Sequence, residues 1–137
     1  MSSLLLLDTS VAVALLVEDH VAHDACRASL DGHDLGLAGH ATFETMSVLS
    51  RLPPPHRRSI RAIHEAIEYS FPHSRFLTEE ATRESAARMA HLGIGGGAVY
   101  DALVAATAIE HHHVLVTRDQ RALPTYQAMG AALLVID

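Results

Sequence analysis

The chain has no lysine and no tryptophan, one cysteine, and aromatic residues at only 4% of its 137 positions. All ten basic residues are therefore arginines. Without an amine side chain there is no Schiff-base chemistry, no phosphate lysine of a P-loop, and no phosphate-sensing lysine of the kind receiver domains and haloacid-dehalogenase phosphatases use. Cys26 alone builds neither a disulfide framework nor a thiolate metal site, and it is compatible with a reducing compartment. Positive charge is also scarce. Sixteen acids against ten bases give a formal net charge of −6, which argues against broad non-specific nucleic-acid binding but leaves room for a local basic patch. Long apolar runs are missing too. The stretch from Leu4 to Val17 is interrupted by Asp8 and has no basic start. Neither a signal peptide nor a membrane span fits it, and the expected location is the cytoplasm.

What is present is aliphatic: 49% of the residues are hydrophobic, in a length suited to a single domain over residues 1–137. The order along the chain is strand and helix in alternation. Leu4–Leu7 reads as a strand, followed by a turn at Asp8-Thr9-Ser10 and a helix to Val17, with Asp8 or Ser10 as its cap. A helix from about His20 to Leu30 leads to a short strand at Leu35–Ala38 and a helix from Ala41 to Leu52, which Pro53-Pro54-Pro55 ends. After a helix over Ser59–Tyr69, Ser74–Leu77 reads as a third strand, and Thr78 caps a helix to Leu92. The glycines Gly95, Gly96 and Gly97 break the chain before an all-apolar helix over Ala98–Ile109, which belongs inside a protein. Val114–Val116 is a fourth strand, Pro124 opens a short helix that Gly130 closes, and Leu133–Ile136 is a last strand. Short, apolar, non-alternating strands between helices signify a parallel sheet covered on both faces. The expected fold is a three-layer α/β/α sandwich with about five parallel strands. Right-handed crossovers then gather every strand-to-helix turn at one sheet edge, where sites in such folds lie.

Four acids fall at such turns. Asp8 follows the first strand, Glu44 opens the helix after the second, Asp101 opens the buried helix and Asp119 follows the fourth strand. Helix capping and the macrodipole favour acids at these places by roughly 0.3–1 kcal/mol each, so some clustering comes without function. Three details go further. Asp101 lies within an apolar helix, Asp8 and Asp119 end strands expected to be close neighbours, and Thr9 and Thr117 set hydroxyls beside them. Carboxylates sharing a low-dielectric pocket stay ionised together only around a cation. An all-oxygen cluster without His or Cys suits Mg²⁺ or Mn²⁺, which activates water and neutralises a phosphate under in-line attack.

The segments Asp8-Thr9-Ser10, Glu44, Tyr100-Asp101-Ala102-Leu103-Val104-Ala105 and Thr117-Arg118-Asp119 resemble the acid motifs of PIN-domain nucleases. More narrowly, they resemble the VapC-type toxins of bacterial toxin–antitoxin pairs, over essentially the whole chain. The resemblance implies a PIN-like fold, Mg²⁺ or Mn²⁺, endonucleolytic cleavage of RNA to 5′-phosphate and 3′-hydroxyl ends, a homodimer, and neutralisation by a small VapB-type antitoxin. By position it makes Asp8 and Asp101 the principal metal ligands. Asp119 and Glu44 complete the acidic pocket, and Thr117 is a supporting hydroxyl. Where some family members carry a further acid after the fourth, Gln120 and Arg121 stand here, which leaves the occupancy of a second metal open.

Two other features compete for attention. His111, His112 and His113 are consecutive, so on a helix they point apart and do not jointly ligate one ion. Arg51, Arg57, Arg58 and Arg61 crowd around the three prolines, either as a solvated hairpin tip or as a surface for RNA backbone or antitoxin. Thr9 and Arg118 are further candidates for substrate or partner contact. The rival to an endoribonuclease is a catalytically inactive PIN fold acting as a binding protein. A phosphotransfer enzyme with Asp8 as nucleophile is disfavoured by the missing lysine and by Ser10, which stands where such phosphatases carry a second aspartate.

Overall fold

The structure, a computed structural model, describes residues 3–137. Its sheet has four strands: β1 (Leu4–Leu7), β2 (Asp34–Leu37), β3 (Val114–Thr117) and β4 (Leu133–Val135). All neighbours are parallel and the spatial order is β2-β1-β3-β4. Among the described residues seven helices connect and cover them: α1 (Thr9–Leu16), α2 (His23–Leu30), α3 (Ala41–Ser50), α4 (Ile60–Ser70), α5 (Glu79–Leu92), α6 (Ala98–Glu110) and α7 (Leu123–Met129).

The two-residue period of a strand decides which helices go where. Leu5, Leu7 and Val116 face one way and pack with Val11, Cys26, Leu49, Ile63 and Ile67, so α1 to α4 cover that side. Leu6 and Leu115 face the other way and pack with Met89, Val104, Ala105 and Tyr126, so α5 to α7 cover the second side. Leu6, Leu7, Leu115 and Val116 are wholly buried. Each fully buried aliphatic side chain of this size stabilises the fold by about 1.5–3 kcal/mol, which is why a run of leucines serves as a central strand here.

The expectation of about five strands is corrected to four among the described residues. Ser74–Leu77, expected as a third strand, lies beside β2 but makes a single parallel bridge, Ala38 with Arg75, rather than a ladder. Ser74 is the reason: its side-chain hydroxyl, at 2.9 Å, accepts the Leu37 N–H in place of a backbone carbonyl. Main-chain bonds from His73 to Leu35 and from Arg75 to Leu37 flank it. The close approach depends on Gly36, where a Cβ would lie 2.2 Å from the His73 carbonyl. Two local readings also shift. α2 starts at His23 rather than His20, because the His20 ring accepts the Ala22 N–H and forms a turn first. It is Gly93, at φ 71°, that ends α5, while of Gly95, Gly96 and Gly97 only Gly96 adopts a positive φ.

Since β1 and β3 are neighbours with Leu7 opposite Val116, their next residues meet at the carboxyl edge. The chain runs from β1 to β2 on one side and only later to β3 on the other. That reversal opens a crevice beside the end of β1, the usual ligand position in open parallel sheets.

Candidate active site

Asp8 lies at that crevice and is only 3% exposed. It is the N-cap of α1, accepting the Val11 N–H at 3.3 Å and the Ser10 hydroxyl at 2.6 Å on Oδ1. Its Oδ2 accepts from the Thr117 hydroxyl and, at 2.9 Å, from the Tyr126 phenol. Burial pushes the Asp8 carboxyl above the ordinary carboxylate value, and the four donors pull against it. The Tyr126 phenol is pushed far up by its own burial and by the Asp8 charge, so it stays a proton donor.

Hydroxyls join the two strand ends. Ser10 accepts the Arg118 N–H at 2.9 Å, and Thr117 accepts the Asp119 N–H at 3.0 Å while donating to Asp8. Asp119 in turn accepts its second-next backbone N–H, that of Arg121, at 3.0 Å. Asp101, 8% exposed, reaches the same crevice from the first turn of α6. The Arg121 guanidinium donates to it twice, Nη1 to Oδ2 at 3.1 Å and Nη2 to Oδ1 at 3.4 Å, and donates from Nη2 to Asp119 Oδ2 at 3.0 Å. Glu44 enters from the first turn of α3 and accepts a long bond from the Thr9 hydroxyl at 3.4 Å. Its carboxyl is also raised, chiefly by burial and then by the charges of Asp101 and Asp8, against the lowering effect of His40.

Together Asp8, Thr9, Ser10, Glu44, Asp101, Arg118, Asp119, Arg121 and Tyr126 line a cleft of about 380 Å³. The acids and hydroxyls offer oxygen donors, with the His20 imidazole also on the lining, and the two carboxyls that burial raises gain most from a nearby cation, so the carboxylates fit a hard divalent ion. Among the described residues, no three His, Cys, Asp or Glu side chains close into a ligating cluster. Hydroxyls hold both oxygens of Asp8, and Arg121 spans Asp101 and Asp119.

The four predicted acids and Thr9, Thr117 and Arg118 thus meet in one place. The Arg118 Nε is buried there without a hydrogen-bond partner among the described residues. Arg51, Arg57, Arg58 and Arg61 do not reach the cleft. Arg51 and Arg57 bond to the carbonyls of Ser47 and Leu52, Arg61 pairs loosely with Glu65 at 3.9 Å, and Arg58 lines a separate cavity with Asp19 and His56. Sequence reasoning missed the roles of Tyr126 and Arg121. No local pattern singles out Tyr126, whose hydroxyl finds Asp8 only through tertiary packing. The signal for Arg121 was its place two residues after Asp119. Beside the cleft, His40 stacks on Tyr100 at 5.0 Å between centroids, and Phe43 and Phe76 extend an exposed aromatic strip.

Comparison with known proteins adds a family. The PIN domain family profile matches residues 5–127. Ribonuclease VapC27 of Mycobacterium tuberculosis (strain ATCC 25618 / H37Rv) is 42% identical over 131 residues, 96% of this chain and 96% of that protein. Ribonuclease VapC40 of Mycobacterium tuberculosis (strain CDC 1551 / Oshkosh) is 40% identical over 124 residues, 89% of this chain and 91% of its own length. Among solved structures, Mycobacterium tuberculosis VapC20, described as a sarcin-ricin loop cleaving toxin, superposes with a TM-score of 0.69 at 19% identity, covering 95% of this chain and 97% of that one. At that identity the likeness speaks for the fold.

Proposed function

The chain belongs to the PIN-domain family and, within it, to the VapC ribonucleases, and on that premise we propose that it is a Mg²⁺- or Mn²⁺-dependent endoribonuclease toxin, cytoplasmic and neutralised by a VapB-type antitoxin. The observation that carries this reading is the convergence of Asp8, Glu44, Asp101 and Asp119, from four separate elements, on one cleft. Asp8, Asp101 and Asp119 are the residues that would hold the ion, with Glu44 completing the acidic pocket. When bound, the ion supplies an activated water and offsets charge on the phosphodiester during in-line attack.

The chain's own residues account for the remaining requirements. Ser10, Thr117 and Tyr126 fix both oxygens of Asp8, so the ligand needs no reorientation. Glu44, with its raised carboxyl, is suited to accept a proton from the attacking water. Arg118, whose Nε has no partner among the described residues, supplies positive charge for a substrate phosphate in an acidic protein. Hydrolysis in this sense leaves a 5′-phosphate and a 3′-hydroxyl. The exposed strip of Phe43, Phe76 and Tyr100 supports a homodimer as part of the same reading. Among the described residues no helix is long and apolar enough to cross a membrane.

The test is incubation of the purified protein with total cellular RNA and Mg²⁺ or Mn²⁺, with EDTA and Asp101→Asn as controls. Discrete fragments with 5′-phosphate ends, absent in both controls, are expected. A folded, metal-loaded protein that cuts none of a varied set of RNAs would transfer the chain to the class of inactive PIN folds that only bind.

A further inference from the structure

Arg121 is the feature of the cleft that an all-acid site does not require. Its guanidinium fork points inward, with Nη1 and Nη2 on the two oxygens of Asp101 and Nη2 also on Asp119. The two ends of this bridge differ in exposure. The Asp101 and Asp119 side chains are 11% and 30% exposed, whereas that of Arg121 is 68% exposed. The carboxylates are therefore held by the fold, and the arginine reaches them from the solvent side on a flexible stem. Its backbone is anchored separately, by its own N–H on Asp119 Oδ1 at 3.0 Å, so the side chain is free to leave while the chain stays in place.

A guanidinium and a divalent ion want the same thing from these oxygens. Both need the lone pairs of Asp101 and Asp119 at close range, and two like charges within a few ångströms of each other repel. They cannot share the pair. We propose that Arg121 is a resident counter-ion of the cleft: it clasps Asp101 and Asp119 and is displaced by the divalent cation, so that the strength of this clasp sets the metal affinity of the site. The inference rests on the metal-site reading above and goes beyond it by naming the group the cation competes with. The clasp also explains why the acids do not close into a ligating cluster: Asp101 and Asp119 are spread around a planar fork, whereas a small ion would draw their oxygens inward.

The experiment is a Mn²⁺ titration followed by electron paramagnetic resonance on the full chain, for the wild type, Arg121→Gln, Arg121→Lys and Asp101→Asn. Removing the competing charge should tighten Mn²⁺ binding about tenfold in Arg121→Gln. Arg121→Lys keeps the charge but cannot bridge both carboxylates, and should fall between the two. Thermal melts give a second readout, independent of RNA cleavage. In EDTA, Arg121→Gln should melt below the wild type because its carboxylates repel unopposed, and saturating Mn²⁺ should erase the difference. Equal or weaker Mn²⁺ binding in both Arg121 variants, with measurable binding to the wild type, overturns the counter-ion role and leaves the metal site standing. The same tightening from Arg121→Gln in a double variant that also carries Asp101→Asn overturns it as well, because the ion would then lie elsewhere. Absence of Mn²⁺ binding in every folded variant overturns the metal-site reading and this inference together.

Discussion

At the carboxyl edge of the sheet, Asp8 is bonded to Thr117 and Tyr126, 109 and 118 residues further along the chain. Around Pro53–Pro55, by contrast, Arg51 and Arg57 turn back to carbonyls four and five residues away, and Arg61 finds Glu65 one helical turn on. Both regions are rich in charge, but only the first is held by the tertiary structure. A side chain oriented by partners from distant elements has little freedom left, and such preorganisation is what ligand binding and catalysis need. A long side chain bonded to its own turn is a solvated surface group, and its ion pairs contribute little. Long-range bonding thus separates a candidate site from a charged surface more sharply than residue type does.

Substitutions on the two sides of this contrast should differ in kind. The largest effect is expected at Asp101. In Asp101→Asn the fold is retained while metal-dependent cleavage falls by roughly a hundredfold or more, since even outer-sphere substitutions at metal sites cost about 10–100-fold. Initial rates on a mapped substrate, with circular dichroism as the folding control, decide it.

Next comes Tyr126→Phe, which deletes one hydroxyl and leaves the ring buried. Losing a hydrogen bond to a charged acceptor should lower stability by about 1.5–3 kcal/mol at neutral pH, read from urea unfolding in EDTA. An unchanged midpoint would mean that the tyrosine only fills space.

Asp8 makes a pH-dependent prediction. Its folded-state pKa is raised, so the folded protein binds the proton more tightly than the unfolded chain does. The favourable contribution of the protonated form is complete below the unfolded value near 3.9 and is lost as pH rises through the folded value. Asp8→Asn removes that cost and keeps a good N-cap residue. In EDTA the variant should equal or exceed the wild type by about 1 kcal/mol at neutral pH, with the advantage fading on acidification. A variant that is less stable at neutral pH would show that the four donors to Asp8 outweigh its burial.

The smallest effects belong to the proline-flanked arginines. Arg51→Ala, Arg57→Ala and Arg61→Ala should each change stability by less than about 0.5 kcal/mol and leave cleavage rates intact. A severalfold loss of cleavage in any of them would break the contrast drawn above and make that hairpin a substrate surface.

Much of this was legible from residues alone. The apolar runs Leu4–Leu7 and Val114–Val116, the proline stop after α3 and the capping Thr78 mark their elements because strand and helix patterns, caps and breakers are local chemistry. The acids at Asp8, Glu44, Asp101 and Asp119 were legible too, because parallel crossovers bring strand-to-helix turns to one edge whatever their separation in sequence. The fifth strand was misread for an equally physical reason. Ser74–Leu77 has the composition of a strand and the right address, but whether a hydroxyl or a carbonyl takes the Leu37 N–H is settled only when the two segments meet.

By itself, then, the sequence determined the layered parallel architecture, the edge at which a site would form and the four carboxylates offered to it, since each follows from periodicity, connection handedness and residue type. Only the tertiary structure decided which donors hold Asp8, that Arg121 spans Asp101 and Asp119, and that the other arginines stay outside. Hydrogen bonds and ion pairs require separations near 3 Å between particular atoms, and no local pattern fixes a distance between residues a hundred positions apart.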